Sequence, residues 1–263
     1  MKILVVQNKM GIGDMIIYLP FIEAISKKFN TPITILVKES SKAEQFLKDS
    51  NIIDEIILLE RNNKLKNGKH EGFIGFYNLV INLKQYNFDK IFIFNSSFRF
   101  NLIARMAGIK DIHQYPLLQK KDQHVIEAAK KLLKKDLDIN VECNPKISIN
   151  NQSIQEIKYK YKIDNNEKNI LLGIGGSGPT KRIPAIIFIK LIRLITQRYK
   201  CKFFLATGKN DQEQKILKEI LNSEFKNKCY ALDNLNLTEI LPIIKIAIFL
   251  FVTTQVLVIF LQH

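Results

Sequence analysis

The feature that most constrains this chain is an alternation of short, β-rich apolar runs with amphipathic stretches, carried through twice along its length. In the first pass Lys2–Gln7, Ile33–Val37, Glu55–Leu59 and Lys90–Phe94 read as strands. Met15–Phe29 reads as a helix that Pro20 should kink or hold within its first turns. Ser40–Lys48 reads as a polar helix, and Phe98–Ala107 as a helix capped by Gly108. Asp122–Asp136 reads as a helix with Asp122 as N-cap. Residues 140–169 are polar and rich in Asn and Lys, the composition of a linker. The alternation then restarts. Asn169–Ile174 and Lys202–Thr207 read as strands, and Ala185–Tyr199, Asp211–Asn222 and Asn236–Lys245 as helices. Asn236 and Glu239 have capping-box spacing. Apolar runs of this kind, without strict in–out alternation, belong to parallel sheets covered on both faces. The expected fold is therefore α/β, with two Rossmann-like domains facing across a cleft. Residues 1–145 form the first domain, 146–168 a linker and 169–263 the second.

Composition narrows the function classes. The chain has 263 residues, with 40 Lys+Arg against 25 Asp+Glu for a net charge of +15, and 46% apolar residues. That is a globular composition, neither disordered nor collagen-like. Three scattered cysteines, Cys143, Cys201 and Cys229, exclude a disulfide scaffold and a zinc ribbon and fit a reducing compartment. The apolar run at the start is too short for a signal peptide. The basic balance has two readings. One is an anionic partner such as a membrane surface. The other is an AT-rich genome, since Ile, Lys, Asn, Phe and Tyr are all frequent and the lysines are spread along the chain.

Two loops could carry chemistry. Gly11-Ile12-Gly13-Asp14 follows the first strand, where glycines let backbone approach a ligand and the next helix offers its N-terminus. The third glycine of a dinucleotide fingerprint is missing, because Ile17 stands in its place. Asp14 reads on spacing alone as a helix cap; as a catalyst it would be a general base. The second loop runs Gly173-Ile174-Gly175-Gly176-Ser177-Gly178-Pro179-Thr180-Lys181-Arg182-Ile183-Pro184. Its glycines can form an amide nest for phosphate while Lys181 and Arg182 neutralise charge. Walker A spacing is absent, and a plain surface loop is the alternative. Thr207-Gly208 follows the next strand as a turn or as part of the same site. The histidines, His70, His113, His124 and His263, have no ligand spacing, so no metal is assigned.

Together these pieces resemble glycosyltransferase family 9, the ADP-heptose–lipopolysaccharide heptosyltransferases and their relatives. The resemblance lies in Gly11-Ile12-Gly13-Asp14 with Leu19-Pro20, in Ser96-Ser97-Phe98-Arg99 through Ala107-Gly108-Ile109, in Lys181-Arg182-Ile183-Pro184 and in Thr207-Gly208. Ile183 departs from the family's usual Trp. The resemblance implies a GT-B fold and metal-independent transfer with inversion. It implies Asp14 as general base and Lys181 as the cation that stabilises the departing diphosphate. Gly11, Gly13, Ser97 and Arg99 would lie on the acceptor side. Gly175, Gly176, Ser177, Thr180, Lys181, Arg182, Thr207 and Gly208 would hold the nucleotide-sugar. The donor would be ADP-heptose-like, with no further cofactor, and the acceptor a lipid-linked saccharide of a lipopolysaccharide core or related glycan. A monomer is expected, cytoplasmic, at the inner face of an anionic membrane.

The end of the chain breaks the resemblance. The family's strand and Asp-Thr-Gly…His motif are due where Ile246–His263 reads IAIFLFVTTQVLVIFLQH. Ile240–Leu261 approaches the length of a membrane span, and a C-terminal anchor is one reading. Codon degeneracy offers another. Read from the third base of each codon, Val252 to Phe260 permit Asn-Asp-Thr-Gly-Phe-Ser-His-Phe, the missing motif in the right place. A frameshift near residues 245–252 is the expectation, leaving 252–263 out of frame, the second domain incomplete and the chain poorly soluble and inactive. Two other classes compete. A basic, non-catalytic α/β protein could bind nucleic acid or membrane, but no stripe of cations with interleaved aromatics is present, and nucleic acid is not expected. A nicotinamide enzyme is disfavoured by Ile17.

Overall fold

The computed structural model describes residues 1–9, 11–47, 50–61, 68–117, 124–164, 166–175 and 183–252. It divides into two compact units, Met1–Ile147 and Ser148–His263.

The first unit is built on a five-stranded parallel sheet in the order β3-β2-β1-β4-β5. Its strands are β1 (Ile3–Gln7), β2 (Ile33–Val37), β3 (Ile53–Leu58), β4 (Lys90–Ile93) and β5 (Asp111–Gln114). Val5 of β1 stands opposite Ile35 on one side and Phe92 on the other. Every residue of β1 and β2 is buried, which is why these strands read as continuous apolar runs. The helices are α1 (Ile12–Phe29), the single turn α2 (Ala43–Phe46), α3 (Gly72–Tyr86), α4 (Phe98–Met106) and α5 (Val125–Leu137). Leu4, Val6, Ile91 and Ile93 pack with Leu79 and Leu83 of α3 and with Phe100 and Ile103 of α4 in one core.

The second unit carries a four-stranded parallel sheet, β8-β7-β6-β9. Its strands are β6 (Lys168–Gly173), β7 (Cys201–Ala206), β8 (Cys229–Ala231) and β9 (Phe249–Val252). Its helices are α6 (Asn151–Lys160), α7 (Ala185–Thr196), α8 (Asp211–Leu221) and α9 (Leu237–Ile246). Phe203 and Leu205 of β7 pack with Phe188 and Ile192 of α7 and Leu217 and Ile220 of α8.

Several elements differ from the sequence reading for identifiable reasons. α1 begins at Ile12, so Asp14 lies inside its first turn and Pro20 is buried in its interior. The helix expected over 40–48 is a 3₁₀ turn (Glu39–Ser41) and the single turn α2, separated by Lys42 in the left-handed region. α5 starts at Val125, where the His124 ring accepts from the Ile126 N–H; Asp122 lies outside the described residues. α3 has two glycines and apolar residues all round, so no period marks it. β5 (DIHQ) is a polar edge strand, and β8 has three residues. The stretch read as linker contains α6, which packs on α9 and pairs Lys160 with Glu239 at 3.4 Å. The Asn236–Glu239 capping box forms in both directions. All three cysteines are free.

The apolar run after α9 is the largest difference. Phe249–Val252 is a strand in parallel register with β6, Leu171 standing opposite Leu250. It is an edge of a sheet, and no helix among the described residues is long and apolar enough to cross a membrane. Residues 253–263 lie outside the described residues.

Phe100 is 2% exposed at the centre of the first core. Phe100→Ala should lower unfolding free energy by roughly 3–5 kcal/mol in a urea titration, through lost transfer energy and the cavity left behind.

Candidate functional site

In an open parallel sheet, loops diverge where strand order reverses, leaving a crevice beyond the carboxyl ends of two neighbouring strands. In the first unit that point lies between β1 and β4, and in the second between β6 and β9. The loops singled out in the sequence follow β1 and β6.

In the first unit Gly11 has φ 113°, a conformation that side-chain-bearing residues rarely adopt, and it turns the chain from β1 into α1. Asp14 follows within the first helical turn. The N-cap position is Gly11, and among the described residues the Asp14 carboxylate makes no hydrogen bond, so it is not the cap that its spacing suggested. Burial raises its pKa above the usual carboxylate value, against an opposing pull from the charge of Lys9. One turn on, the Tyr18 hydroxyl faces that of Tyr115. Burial pushes both hydroxyls up; Tyr18 adds to the rise at Tyr115, whereas Tyr115 pulls Tyr18 down against its burial and the nearby Asp14 charge.

The loops after β4 and β5 are fixed by amides. Asn95 donates to the Asn8 side chain (3.2 Å) and accepts from the Ser97 N–H (2.9 Å). Gln114 donates to the carbonyls of Asn95 (3.1 Å) and Ser97 (3.0 Å) and accepts from Asn101 (2.8 Å). Asn8, Ser97 and Gln114 therefore form one framework across the ends of three strands. Gln7 is buried beneath it with both amide atoms unpartnered. Arg99 has a different setting. Its two terminal nitrogens donate to the carbonyls of Gly72 and His70 at 3.0 Å each, and its guanidinium lies 5.4 Å from the Phe76 ring centroid. These contacts tie the start of α4 to the start of α3. The largest cavity described in this unit, about 780 Å³, lies on the α5 flank; Tyr115 forms part of its wall.

In the second unit Gly175, Thr207 and Gly208 gather around a residue the sequence reading passed over. The Glu213 carboxylate, 5% exposed, accepts from the Gly208 N–H at 2.7 Å and the Thr207 hydroxyl at 3.3 Å. A Cβ on Gly208 would meet the same oxygen at 2.6 Å, and one on Gly175 at 3.0 Å. Asn210 caps α8 by accepting from the Glu213 N–H at 3.0 Å. Glu213, Leu217 and Ile220 form the buried stripe of α8, so the readable signal was a carboxylate at an apolar position. Gly176, Ser177, Thr180, Lys181 and Arg182 lie outside the described residues.

Removing that acceptor has a definite consequence. Glu213→Ala leaves the Gly208 N–H without its acceptor and the Thr207 hydroxyl with only the Gly208 carbonyl, and should lower stability by about 2 kcal/mol in urea denaturation, the range for hydrogen bonds to a charged group. Gly208→Ala should destabilise as well, by driving a methyl against the Glu213 oxygen.

Comparison with known proteins fits this geometry. The family model for Glycosyltransferase family 9 (heptosyltransferase) matches residues 77–254, more than half the chain. No curated protein sequence matches it. Among solved structures, the glycosyl transferase family 9 protein from Veillonella parvula aligns with a TM-score of 0.71 at 20% identity, over 95% of this chain and 75% of that one. E. coli ADP-heptose LPS heptosyltransferase II aligns with a TM-score of 0.69 at 17% identity, over 95% and 78%. E. coli heptosyltransferase WaaC with ADP-2-deoxy-2-fluoro heptose aligns with a TM-score of 0.66 at 14% identity, over 100% and 87%. With the family model matching more than half of the chain, from within the first unit to the last strand of the second, the chain belongs to glycosyltransferase family 9.

Proposed function

We propose that this glycosyltransferase moves a heptose or similar sugar from a nucleotide-sugar, with ADP-heptose the leading candidate, onto a lipid-linked saccharide of a lipopolysaccharide core or related glycan, with inversion. The observation that carries the reading is Asp14, a desolvated carboxylate at the switch point of the first sheet that makes no hydrogen bond among the described residues. The acceptor hydroxyl gives its proton to Asp14 as its oxygen attacks the anomeric carbon. The bond from that carbon to the diphosphate breaks, and the nucleoside diphosphate leaves with the electron pair. Lys181 and Arg182 neutralise the charge that develops there. Gly176, Ser177 and Thr180, with Gly175, Thr207 and Gly208, form the cradle for the donor phosphates, and Glu213 holds the last two in place. Gly11, Gly13 and Ser97 border the acceptor. Arg99 acts on this side through the α3–α4 join. The donor class is supported by the WaaC structures solved with ADP and with ADP-2-deoxy-2-fluoro heptose. The protein acts as a monomer at the cytoplasmic face of the inner membrane, where its charge favours anionic lipid.

The same reading makes residues 252–263 out-of-frame translation. β9 completes the strand that precedes the family's Asp-Thr-Gly motif, and the family match ends at residue 254. A motif restored after β9 would fall at the β6–β9 switch point beside the glycine loop. The chain as written lacks it, and we expect no transfer from it. Sequencing the gene across codons 240–263 tests this. The shifted frame should spell Asn-Asp-Thr-Gly-Phe-Ser-His-Phe and stay open; codons that exclude this octet would refute it.

The Asp14 shift fixes the sign of two pH effects. A carboxyl whose folded pKa is raised binds its proton more tightly in the native state. The stability this brings at low pH is lost as pH rises through the folded value. Asp14→Asn should therefore raise the thermal midpoint at pH 7. An NMR titration of the Asp14 carboxyl should give a midpoint above 3.8. In protein made from the restored frame, transfer should rise along an acid limb with that same midpoint.

A further inference from the structure

The surface formed by α3 and α4 is unusual for an isolated globular unit. Phe73, Ile74, Tyr77 and Ile81 on α3, and Phe98, Leu102 and Met106 on α4, are all between 37% and 78% exposed. On each helix the spacing runs i, i+4, i+8, so each set forms one stripe. The two helices pack against each other, and Phe73 meets Tyr77 edge-on at 5.3 Å. The three aromatics alone present about 350 Å², at roughly 200 Å² for a whole aromatic side chain, already within the range of the largest patches monomers expose.

Charge and position identify what this face fits. Neither helix contains an Asp or Glu. Lys69, Lys84, Arg105 and Lys110 are exposed at the helix ends and form no ion pair among the described residues. At the head of α3, Glu71 is paired with Arg61. In a two-fold association with a second copy, these four cations would oppose their equivalents. Lipid phosphates would match them, and an apolar face with aromatics and a basic surround is the pattern of helices that lie in a membrane interface. α3 leads into β4, so its first turn stands at the carboxyl end of the sheet, and α4 begins directly after Ser97. Arg99 clasps the two helix starts through the carbonyls of Gly72 and His70. Phe73, Ile74 and Phe98 thus stand at the same end of the sheet as Asp14.

We propose that the exposed face of α3 and α4 docks the protein onto an anionic lipid bilayer, presenting the Asp14 end of the sheet to a lipid-linked acceptor held in that bilayer. The docking rests on the patch itself; only the acceptor's delivery rests on the proposed function.

The chain has no tryptophan, so Phe98→Trp supplies a single fluorophore at the head of the patch. With vesicles rich in phosphatidylglycerol its emission should shift to the blue and the protein should float with the vesicles, whereas phosphatidylcholine vesicles should produce neither effect. The triple variant Phe73→Ser/Ile74→Ser/Phe98→Ser should bind the anionic vesicles at least about tenfold more weakly while unfolding at an unchanged midpoint. A matched change of exposed residues on α7, Ile186→Ser/Leu194→Ser, should leave binding intact. Equal binding to both vesicle types, or anionic binding that survives the triple variant, would overturn the proposal. So would a blue shift without lipid that grows with protein concentration, which would make the face a contact between copies. Protein made from the restored frame that docks but does not transfer would contradict the proposed function alone. One that transfers to detergent-dispersed acceptor without docking would contradict this inference alone.

Discussion

Parallel pairing on both sides of one central strand is the constraint on which both units depend. β1 is flanked by β2 and β4, and β6 by β7 and β9. A strand paired on both sides and covered on both faces can contain almost no polar side chain, so chemistry is displaced to the strand ends. Because chain order reverses beside β1 and again beside β6, the loops at those ends part and leave the backbone accessible. The Gly11–Asp14 turn, and Gly175 just beyond β6, are placed by this arrangement before any side chain contributes.

The two carboxylates found at these ends show how environment divides roles between like groups. Glu213 is satisfied by an amide and a hydroxyl, a Cβ at Gly208 would collide with its carboxylate, and one at Gly175 would crowd it. It is a fixed part of the loop framework. Asp14 is desolvated with no hydrogen bond among the described residues, and that burial raises its pKa. Unsatisfied polarity of this kind is the reserve from which catalytic sites draw, at some expense in stability. The amide framework of Asn8, Asn95 and Gln114 supplies the rigidity that such a group needs around it.

The parts of the fold legible in the sequence were those where pattern and burial agree. β1, β2, β4, β6 and β7 announce themselves as apolar runs, and the α9 capping box is visible from Asn236 and Glu239. α3 was not legible because its outward face is as apolar as its inward one. That loss of period is the same property that makes it a docking surface. α6 was hidden by its polar composition, since a helix resting on a single partner needs few apolar residues. β5 was hidden because an edge strand can be polar. Among the proposed site residues, Asp14 and the glycines stood out in the sequence by loop position. Glu213 required the buried stripe of α8 to be recognised, and Arg99 required knowledge of which carbonyls lay near it. The tail was misleading for a different reason: its apolar run reads as one long span, whereas Phe249–Val252 pairs as a strand of the sheet.

The central claim is that Asp14 acts as the base. It is tested most directly by steady-state transfer kinetics on protein made from the restored reading frame, comparing wild type with Asp14→Asn using the same nucleotide-sugar and acceptor. The account predicts a fall in kcat of about 10²–10⁴-fold with KM for the donor nearly unchanged, the signature of a lost general base. Turnover retained within a few-fold would contradict it.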